Sequence, residues 1–92
     1  MEVNELEQLK AMGRVFSNNA MMRMLLSLAK GPLPKEALTR TEGLPWSTAW
    51  WYVKEMRDAG LTVEYTFSDG SISRVMVKLK SRDIKINLDK VK

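Results

Sequence analysis

One stretch decides the fold of this chain: Gly43-Leu-Pro-Trp-Ser-Thr-Ala-Trp-Trp-Tyr-Val-Lys-Glu-Met-Arg-Asp-Ala-Gly-Leu61. Ser47 is suited to cap the start of a helix, because its hydroxyl can accept a hydrogen bond from a backbone N–H that is otherwise unpaired. Gly60 is suited to end that helix, because glycine readily takes the left-handed conformation that follows many helices. Between them an apolar stripe recurs at helical spacing: Ala49, Tyr52, Val53 and Met56. The stretch therefore predicts a helix over residues 47–59.

The same predicted helix carries bulky residues on the side away from the apolar stripe. At about 100° per residue, Trp51 lies roughly 160° from the centre of the stripe, and Ser47, Trp50 and Lys54 flank it. One packed core cannot cover both sides of so short a helix. We therefore expect one side to hold the domain together and the other to contact a partner, while Trp46 packs over the helix start.

Three helices are predicted before this stretch. Asn4 and Glu7 have the spacing of a capping box, followed by an apolar residue at every third position. Ser17 is expected to open the second helix, and Pro34 fits the first turn of the third. The apolar face of the second helix is predicted to comprise Ala20, Met21, Met24, Leu25 and Leu28. The three predicted helices cover residues 3–12, 17–30 and 34–41.

A two-stranded hairpin is predicted over residues 61–80, where the apolar period changes from 3.6 to 2. A two-residue loop at Asp69-Gly70 would set the acidic Glu64 opposite Val75. A three-residue loop with a left-handed Gly70 sets Val63 opposite Val75, and Glu64 opposite Arg74. Because only the second register matches the faces of the two strands, we predict the three-residue loop.

The tail of the chain allows two interpretations. Alternation and β-branching in Ile84-Lys85-Ile86-Asn87-Leu88 favour a short strand, whereas Ile84, Leu88 and Val91 would also align on a helix. We favour the strand. The predicted fold class is therefore α+β: one domain over residues 1–92, in which four helices precede a hairpin and a possible short C-terminal strand.

The composition excludes several classes of function. The chain has no cysteine and no histidine, so disulfides and the usual zinc and transition-metal sites are excluded and no cofactor is expected. Without those residues or a Gly-rich phosphate loop, an enzyme is not expected. Acidic residues near the N-terminus do not fit a signal peptide, and no apolar run is long enough to span a membrane, so the default location is the cytoplasm. The net charge of +4 suits a polyanionic partner.

Two segments resemble a known class of regulators. Residues 12–31 contain a small polar pair followed by a helix rich in arginine and leucine, which is similar to the opening of ArsR-type regulators. Residues 43–48 and 56–61 resemble the recognition helix and wing entry of ArsR-type and MarR-type domains, which are found in archaea and bacteria. With the hairpin, the resemblance covers roughly residues 12–80. It implies a winged helix-turn-helix fold.

The same resemblance implies double-stranded DNA as the partner and a homodimer that regulates transcription. Metal sensing does not carry over, because the Cys and His ligands of the metal-sensing members are missing. The long C-terminal helix of many dimeric members is also missing after Arg82. A dimer contact is therefore assigned to the apolar side of the first helix: Val3, Leu6, Leu9 and Met12.

The proposed DNA contacts lie on the recognition helix and around it. Base discrimination is assigned to Ser47, Thr48, Trp50, Trp51 and Lys54, and phosphate or backbone contacts to Lys35, Arg40, Ser71, Arg74 and Lys78. Because the helix face has no Arg, Asn or Gln to read guanine or adenine, we expect modest specificity with a preference for sites containing A·T pairs. The negative charge of Asp69 argues against insertion of the wing tip into the minor groove. The alternative is a protein-interaction module that uses the tryptophans, since aromatic residues are enriched at interfaces.

Overall fold

The computed structural model describes residues 1–40 and 43–91. Its four helices are α1 (Leu6–Phe16), α2 (Asn19–Leu28), α3 (Lys35–Arg40) and α4 (Trp46–Asp58). Its strands are β1 (Glu2–Val3), β2 (Leu33–Pro34), β3 (Thr62–Asp69), β4 (Ile72–Leu79) and β5 (Lys85–Ile86), and a 3₁₀ turn covers Leu88–Lys90. The order of four helices followed by an antiparallel hairpin confirms the predicted α+β winged-helix architecture.

Two small sheets organise the chain. β3 and β4 form the hairpin, and β2 adds to the other edge of β4, giving the order β2-β4-β3. β1 and β5 form a separate parallel pair in which Val3 aligns with Ile86. The predicted C-terminal strand is therefore confirmed for residues 85–86. Within residues 1–40 and 43–91, no helix has the length and apolar character needed to cross a membrane.

The core lies between the four helices and the inner face of the hairpin. Its largest fully buried side chains include Met12, Met24 and Met56, one from each of three helices, with Leu28 and Leu38. Fully burying an aliphatic side chain of this size contributes about 1.5–3 kcal/mol. The stripe predicted for α4 is confirmed, because Ala49, Val53 and Met56 are at most 1% exposed and Tyr52 is partly buried.

The predicted limits of the first two helices were wrong. Helix α1 begins at Leu6 after Glu5, which makes no side-chain capping bond, so the capping box at Asn4 does not form. The chain before it is drawn into the β1–β5 pair, and the helix then continues to Phe16. Helix α2 is capped by Asn18, whose side chain accepts a hydrogen bond from the Met21 N–H at 3.0 Å, rather than opened by Ser17.

The limits of the last two helices also differ by one residue. Pro34 pairs with Met76 as part of β2, so α3 begins at Lys35. The predicted end of this helix at Thr41, and the last residue Lys92, lie outside the described residues. Helix α4 begins at Trp46 after Pro45 without a side-chain cap, so the capping role predicted for Ser47 is wrong.

The end of α4 follows the prediction. Gly60 has a φ of 77°, in the left-handed region. The Leu61 N–H donates to the Met56 carbonyl at 3.0 Å, and the Gly60 N–H donates to the Arg57 carbonyl at 2.9 Å. These two bonds form a Schellman motif, which satisfies carbonyl groups that the helix leaves unpaired. The glycine therefore ends the helix and turns the chain into β3.

The predicted register of the hairpin was wrong. Asp69 pairs with Ile72, so the loop has two residues, Gly70 and Ser71, and Glu64 lies opposite Val77 rather than Arg74. The inner face of β3 therefore carries Thr62 and Glu64, while Val63, Tyr65 and Phe67 lie on the outer face. A carboxylate is tolerated on the inner face because two basic side chains neutralise it, as described below.

Candidate nucleic-acid interface

Three indoles dominate the outward side of α4, and we call this surface the tryptophan face: Trp46, Trp50 and Trp51, with Ser47 and Lys54 between them. Trp46 is 71% exposed and Trp51 is 54% exposed. Trp50 is partly buried, and its ring meets the ring of Trp46 edge-on with 5.4 Å between centroids. The outward position predicted for Trp51 is confirmed. The prediction that Trp46 packs over the helix start was wrong, because α4 begins one residue earlier and Trp46 belongs to its first turn.

Two lysines lie against the indoles of this face. The Lys35 ammonium is 4.0 Å from the centroid of the Trp50 ring, and the Lys54 ammonium is 5.2 Å from that of Trp51. Both distances are within the range of a cation–π interaction. Lys54 also pairs with Asp58 at 2.7 Å, and the hydrogen bond from Lys54 is the main cause that lowers the pKa of the Asp58 carboxyl. The positive charge on the face is therefore partly neutralised.

Glu64 connects the hairpin to both α3 and α4 through two ion pairs. Its carboxylate lies 2.8 Å from the Lys35 ammonium and 3.2 Å from the Arg57 guanidinium. The side chains of Glu64 and Lys35 are only 19% and 14% exposed. Burial acts to raise the pKa of Glu64, but Lys35 and then Arg57 outweigh it and lower that pKa below its usual value. We call these three residues the Glu64 cluster.

The Glu64 cluster changes the interpretation of Lys35. A phosphate contact requires an ammonium that is accessible from solvent, whereas Lys35 is largely buried between a carboxylate and an indole. Arg40, at the end of α3, is exposed, as is Ser47; Thr48 is partly buried. Of the basic residues predicted on this side, Arg40 and Lys54 are thus the better placed to reach a phosphate.

The basic residues of the hairpin lie on its outer face. Arg74 pairs with Phe67 and Lys78 pairs with Val63, and both pairs alternate with the inward pair of Glu64 and Val77. The Lys78 ammonium is 5.5 Å from the Tyr65 ring on that same outer face. Because opposed residues share a face of a sheet, the register places Lys78 away from α4.

A cleft of about 250 Å³ separates the hairpin from α4. Its lining includes Lys35 and Trp50 on the helical side and Ser73 and Val75 on the hairpin side. Ser71 is exposed in the two-residue loop at the wing tip. Arg74 lines the same cleft, so it is the basic hairpin residue that lies near Trp50, together with the smaller side chains of Ser73 and Val75.

The residues assigned to a dimer contact separate into two groups. Val3 and Met12 are 0% exposed, so they belong to the core of the monomer and cannot reach a partner. Leu9 is partly buried against that core, whereas Leu6 is 41% exposed. The assignment failed for Val3 because this residue lies in β1 rather than on the first helix.

Three features of this surface were not predicted from the sequence, and the reasons differ. The exposed position of Trp46 was missed because α4 begins one residue earlier than predicted. Arg57 was not assigned a role, although it lies within one helical turn of Lys54 on the same side of the helix. The exposed outer face of the hairpin, which includes Tyr65, Phe67 and Ile72, was not predicted because the predicted register was wrong.

Within the described residues, no group of three or more acidic side chains is placed to hold a metal ion.

Comparisons with known proteins identify the fold. No protein-family model and no curated protein matches the sequence. Solved structures do match, among them a crystal structure of an ArsR family transcriptional regulator, with a TM-score of 0.64 and 15% identity over 80% of this chain and 77% of the other.

Two further matches are a crystal structure and a solution NMR structure from Mycobacterium bovis, each of a fragment 1–100. The crystal structure, of a possible transcriptional regulatory protein, has a TM-score of 0.65 and 22% identity over 83% of this chain and 77% of that one. The NMR structure is described as a homodimeric winged helix-turn-helix DNA-binding domain, a possible ArsR-family transcriptional regulator. It has a TM-score of 0.64 and 22% identity over 83% of this chain and 67% of that one. These likenesses establish that the chain has the winged helix-turn-helix fold.

Proposed function

We propose that this protein binds DNA through α4 and the adjoining hairpin, and that it regulates transcription as a homodimer. The observation that carries the proposal is the tryptophan face, where Trp46 and Trp51 are more than half exposed on the helix that this fold presents to DNA. A helix that needed only a structural role would not expose two indoles, since each of them leaves a large apolar surface in water.

Charge supports the same proposal. The chain carries 15 basic and 11 acidic residues, a net charge of +4. Exposed Arg40 and Lys54 border the tryptophan face, and Arg57 follows one helical turn after Lys54 with 41% of its side chain exposed. Basic side chains supply most of the sequence-independent affinity for DNA. The solved winged-helix structures described as DNA-binding domains or transcriptional regulators favour this role over the protein-interaction alternative.

A fluorescence anisotropy titration with labelled duplex DNA at several salt concentrations tests this proposal. If about three phosphates are neutralised per protomer, the homodimer neutralises about six, and the logarithm of the binding constant falls with a slope of about −5 against the logarithm of salt concentration. An aromatic protein contact would show little salt dependence. Absence of salt-dependent DNA binding would therefore reject DNA as the partner and favour the protein-interaction alternative.

We further propose that the homodimer forms at the end of the molecule where both chain ends meet. β1 and β5 bring the N-terminal and C-terminal segments together beside the start of α1. Exposed apolar side chains occur on these elements: Leu6, Ile86 and Leu88. Sedimentation velocity at several protein concentrations should show a dimer that Leu6→Glu dissociates. A monomer at all concentrations would overturn this part of the proposal.

A further inference from the structure

The tryptophan face is wider than the outward side of an ordinary recognition helix. Trp46 and Trp51 lie about 140° apart around the axis of α4, with Ser47 and Lys54 between them. A hollow of about 430 Å³ is lined by the three indoles, Ser47 and the neighbouring basic side chains of Lys35, Lys54 and Arg57. The exposed indoles of Trp46 and Trp51 therefore lie at the two margins of the face, and the polar side chains of Ser47 and Lys54 lie between them.

This arrangement fits poorly into the groove of an undistorted duplex. An α-helix with its side chains is about 10–12 Å across, and the major groove of B-DNA is about 12 Å wide. A helix of average width already fills the major groove. Indoles at both margins of the helix would therefore clash with the sugar-phosphate backbones on the two sides of the groove. The face also lacks the Asn and Gln side chains that read adenine by two hydrogen bonds, and its arginine, Arg57, is already paired with Glu64 at 3.2 Å.

The same arrangement matches what proteins present to unpaired bases. Exposed aromatic rings next to basic side chains form stacking platforms, because every base has a flat π surface and every nucleotide carries a phosphate. Trp46 is the most exposed of the three indoles and lies in the first turn of α4, the part of a recognition helix that contacts bases. Lys54 and Arg57 follow on the same side of the helix, where they can meet the backbone of the bound strand.

We propose that Trp46 and Trp51 stack on unpaired bases, so that the protein binds DNA most tightly where the two strands are separated. This inference rests on the proposed function and specifies the form of DNA that the same face recognises. Locally opened DNA supplies both requirements, because the bases are free to stack and the flanking duplex remains available to the hairpin.

Three labelled DNA probes test the inference: a duplex, the same duplex with a short central run of mismatched bases, and one of its strands alone. Stacking on an aromatic side chain changes affinity about 5- to 150-fold per base. We therefore expect the mismatched duplex to bind at least about tenfold more tightly than the perfect duplex, with quenching of tryptophan fluorescence.

Substitutions at Trp46 separate stacking from apolar bulk. Trp46→Phe keeps an aromatic ring and should retain most of the preference for the mismatched duplex, whereas Trp46→Leu keeps apolar bulk without the ring and should lose it. Leu26→Ala is a matched control, because Leu26 is 61% exposed but lies on α2, outside both the tryptophan face and the proposed dimer surface. Thermal unfolding of each variant verifies that it is folded.

The outcomes distinguish this inference from the proposed function. Equal affinity for the perfect and mismatched duplexes would overturn base stacking and leave DNA binding intact. An equal loss of affinity for both duplexes in Trp46→Leu would also overturn stacking. Failure to bind any of the three probes would overturn the inference and the proposed function together.

Discussion

Replacing Glu64 by Gln should destabilise the protein, although the side chain keeps its size. Glu64 is the only carboxylate that the structure places between Lys35 and Arg57 within the described residues, and the substitution leaves the largely buried Lys35 ammonium without its counter-ion. The lost stability is thus mainly the cost of an unpaired buried charge and not the loss of one hydrogen bond.

The magnitude follows from the burial of the Glu64 cluster. Removing one partner of a fully buried ion pair costs about 3–5 kcal/mol, and removing an exposed pair costs about 0–1 kcal/mol. Glu64 and Lys35 are mostly but not fully buried, and the flexible lysine can turn partly towards water. We therefore expect a loss of about 2 kcal/mol in the free energy of unfolding, which lowers the Tm by about 8–16 °C in a domain of this size.

Thermal and urea unfolding, followed by circular dichroism, measure this loss. Glu7→Gln is the matched control, because Glu7 pairs with Lys10 at 3.8 Å but is 87% exposed, and its substitution should change stability by less than about 0.5 kcal/mol. A Tm decrease for Glu64→Gln no larger than that of Glu7→Gln would refute the argument that burial makes the Glu64 cluster important.

The pH dependence of the stability difference between wild type and Glu64→Gln gives a second test. Because the pKa of Glu64 is lowered in the folded protein, its ionised form contributes stability above the pKa of the unfolded chain, about 4.3. That contribution is lost as the pH falls through the lower pKa of the folded protein. The stability gap between wild type and Glu64→Gln should therefore be constant near neutral pH and narrow in acid. A gap that stays constant into strong acid would contradict the assignment.

Four other substitutions probe the tryptophan face and its border, the end of α4 and the core. Trp51→Ala should change the free energy of unfolding by less than about 1 kcal/mol, because the indole is 54% exposed. It should nevertheless alter which DNA sequences are preferred in competition binding. Unchanged affinity and preference would show that Trp51 is not part of the DNA-binding site. Arg40→Ala should weaken binding equally for all sequences and reduce the salt slope by about 1 per protomer, or about 2 for the homodimer. An unchanged slope would show that Arg40 contacts no phosphate. Gly60→Ala should lower the free energy of unfolding by about 1–2 kcal/mol. The φ of Gly60 is +77°, and the new Cβ would lie 2.6 Å from the Gln8 amide nitrogen, which donates to the Ala59 carbonyl. A variant as stable as wild type in urea would contradict this prediction. Leu28→Ala should lower the free energy of unfolding by about 2–5 kcal/mol, because Leu28 is 1% exposed. A smaller decrease would show that the core repacks around the missing atoms.

The recognisable parts of this fold are those that depend on local pattern. The apolar stripe of α4, the helix end at Gly60 and the change of period at residue 61 are properties of neighbouring residues, and the structure contains all three. The direction of Trp51 followed from the same periodicity. The same periodicity predicted the apolar face of α2, of which Met21, Met24 and Leu28 are buried, while Ala20 and Leu25 are partly buried.

The parts that the sequence left undetermined depend on contacts between distant residues. The register of the hairpin places Glu64 on the inner face, where Lys35 from α3 and Arg57 from α4 neutralise the carboxylate. The pairing of β1 with β5 moved the start of α1, and the start of α4 moved by one residue without a side-chain cap. Periodicity thus determined which side of α4 is apolar. Tertiary ion pairing decided that Lys35 is largely buried and that a carboxylate lies on the inner face of the hairpin, because charge compensation acts through space and leaves no periodic signal in the sequence.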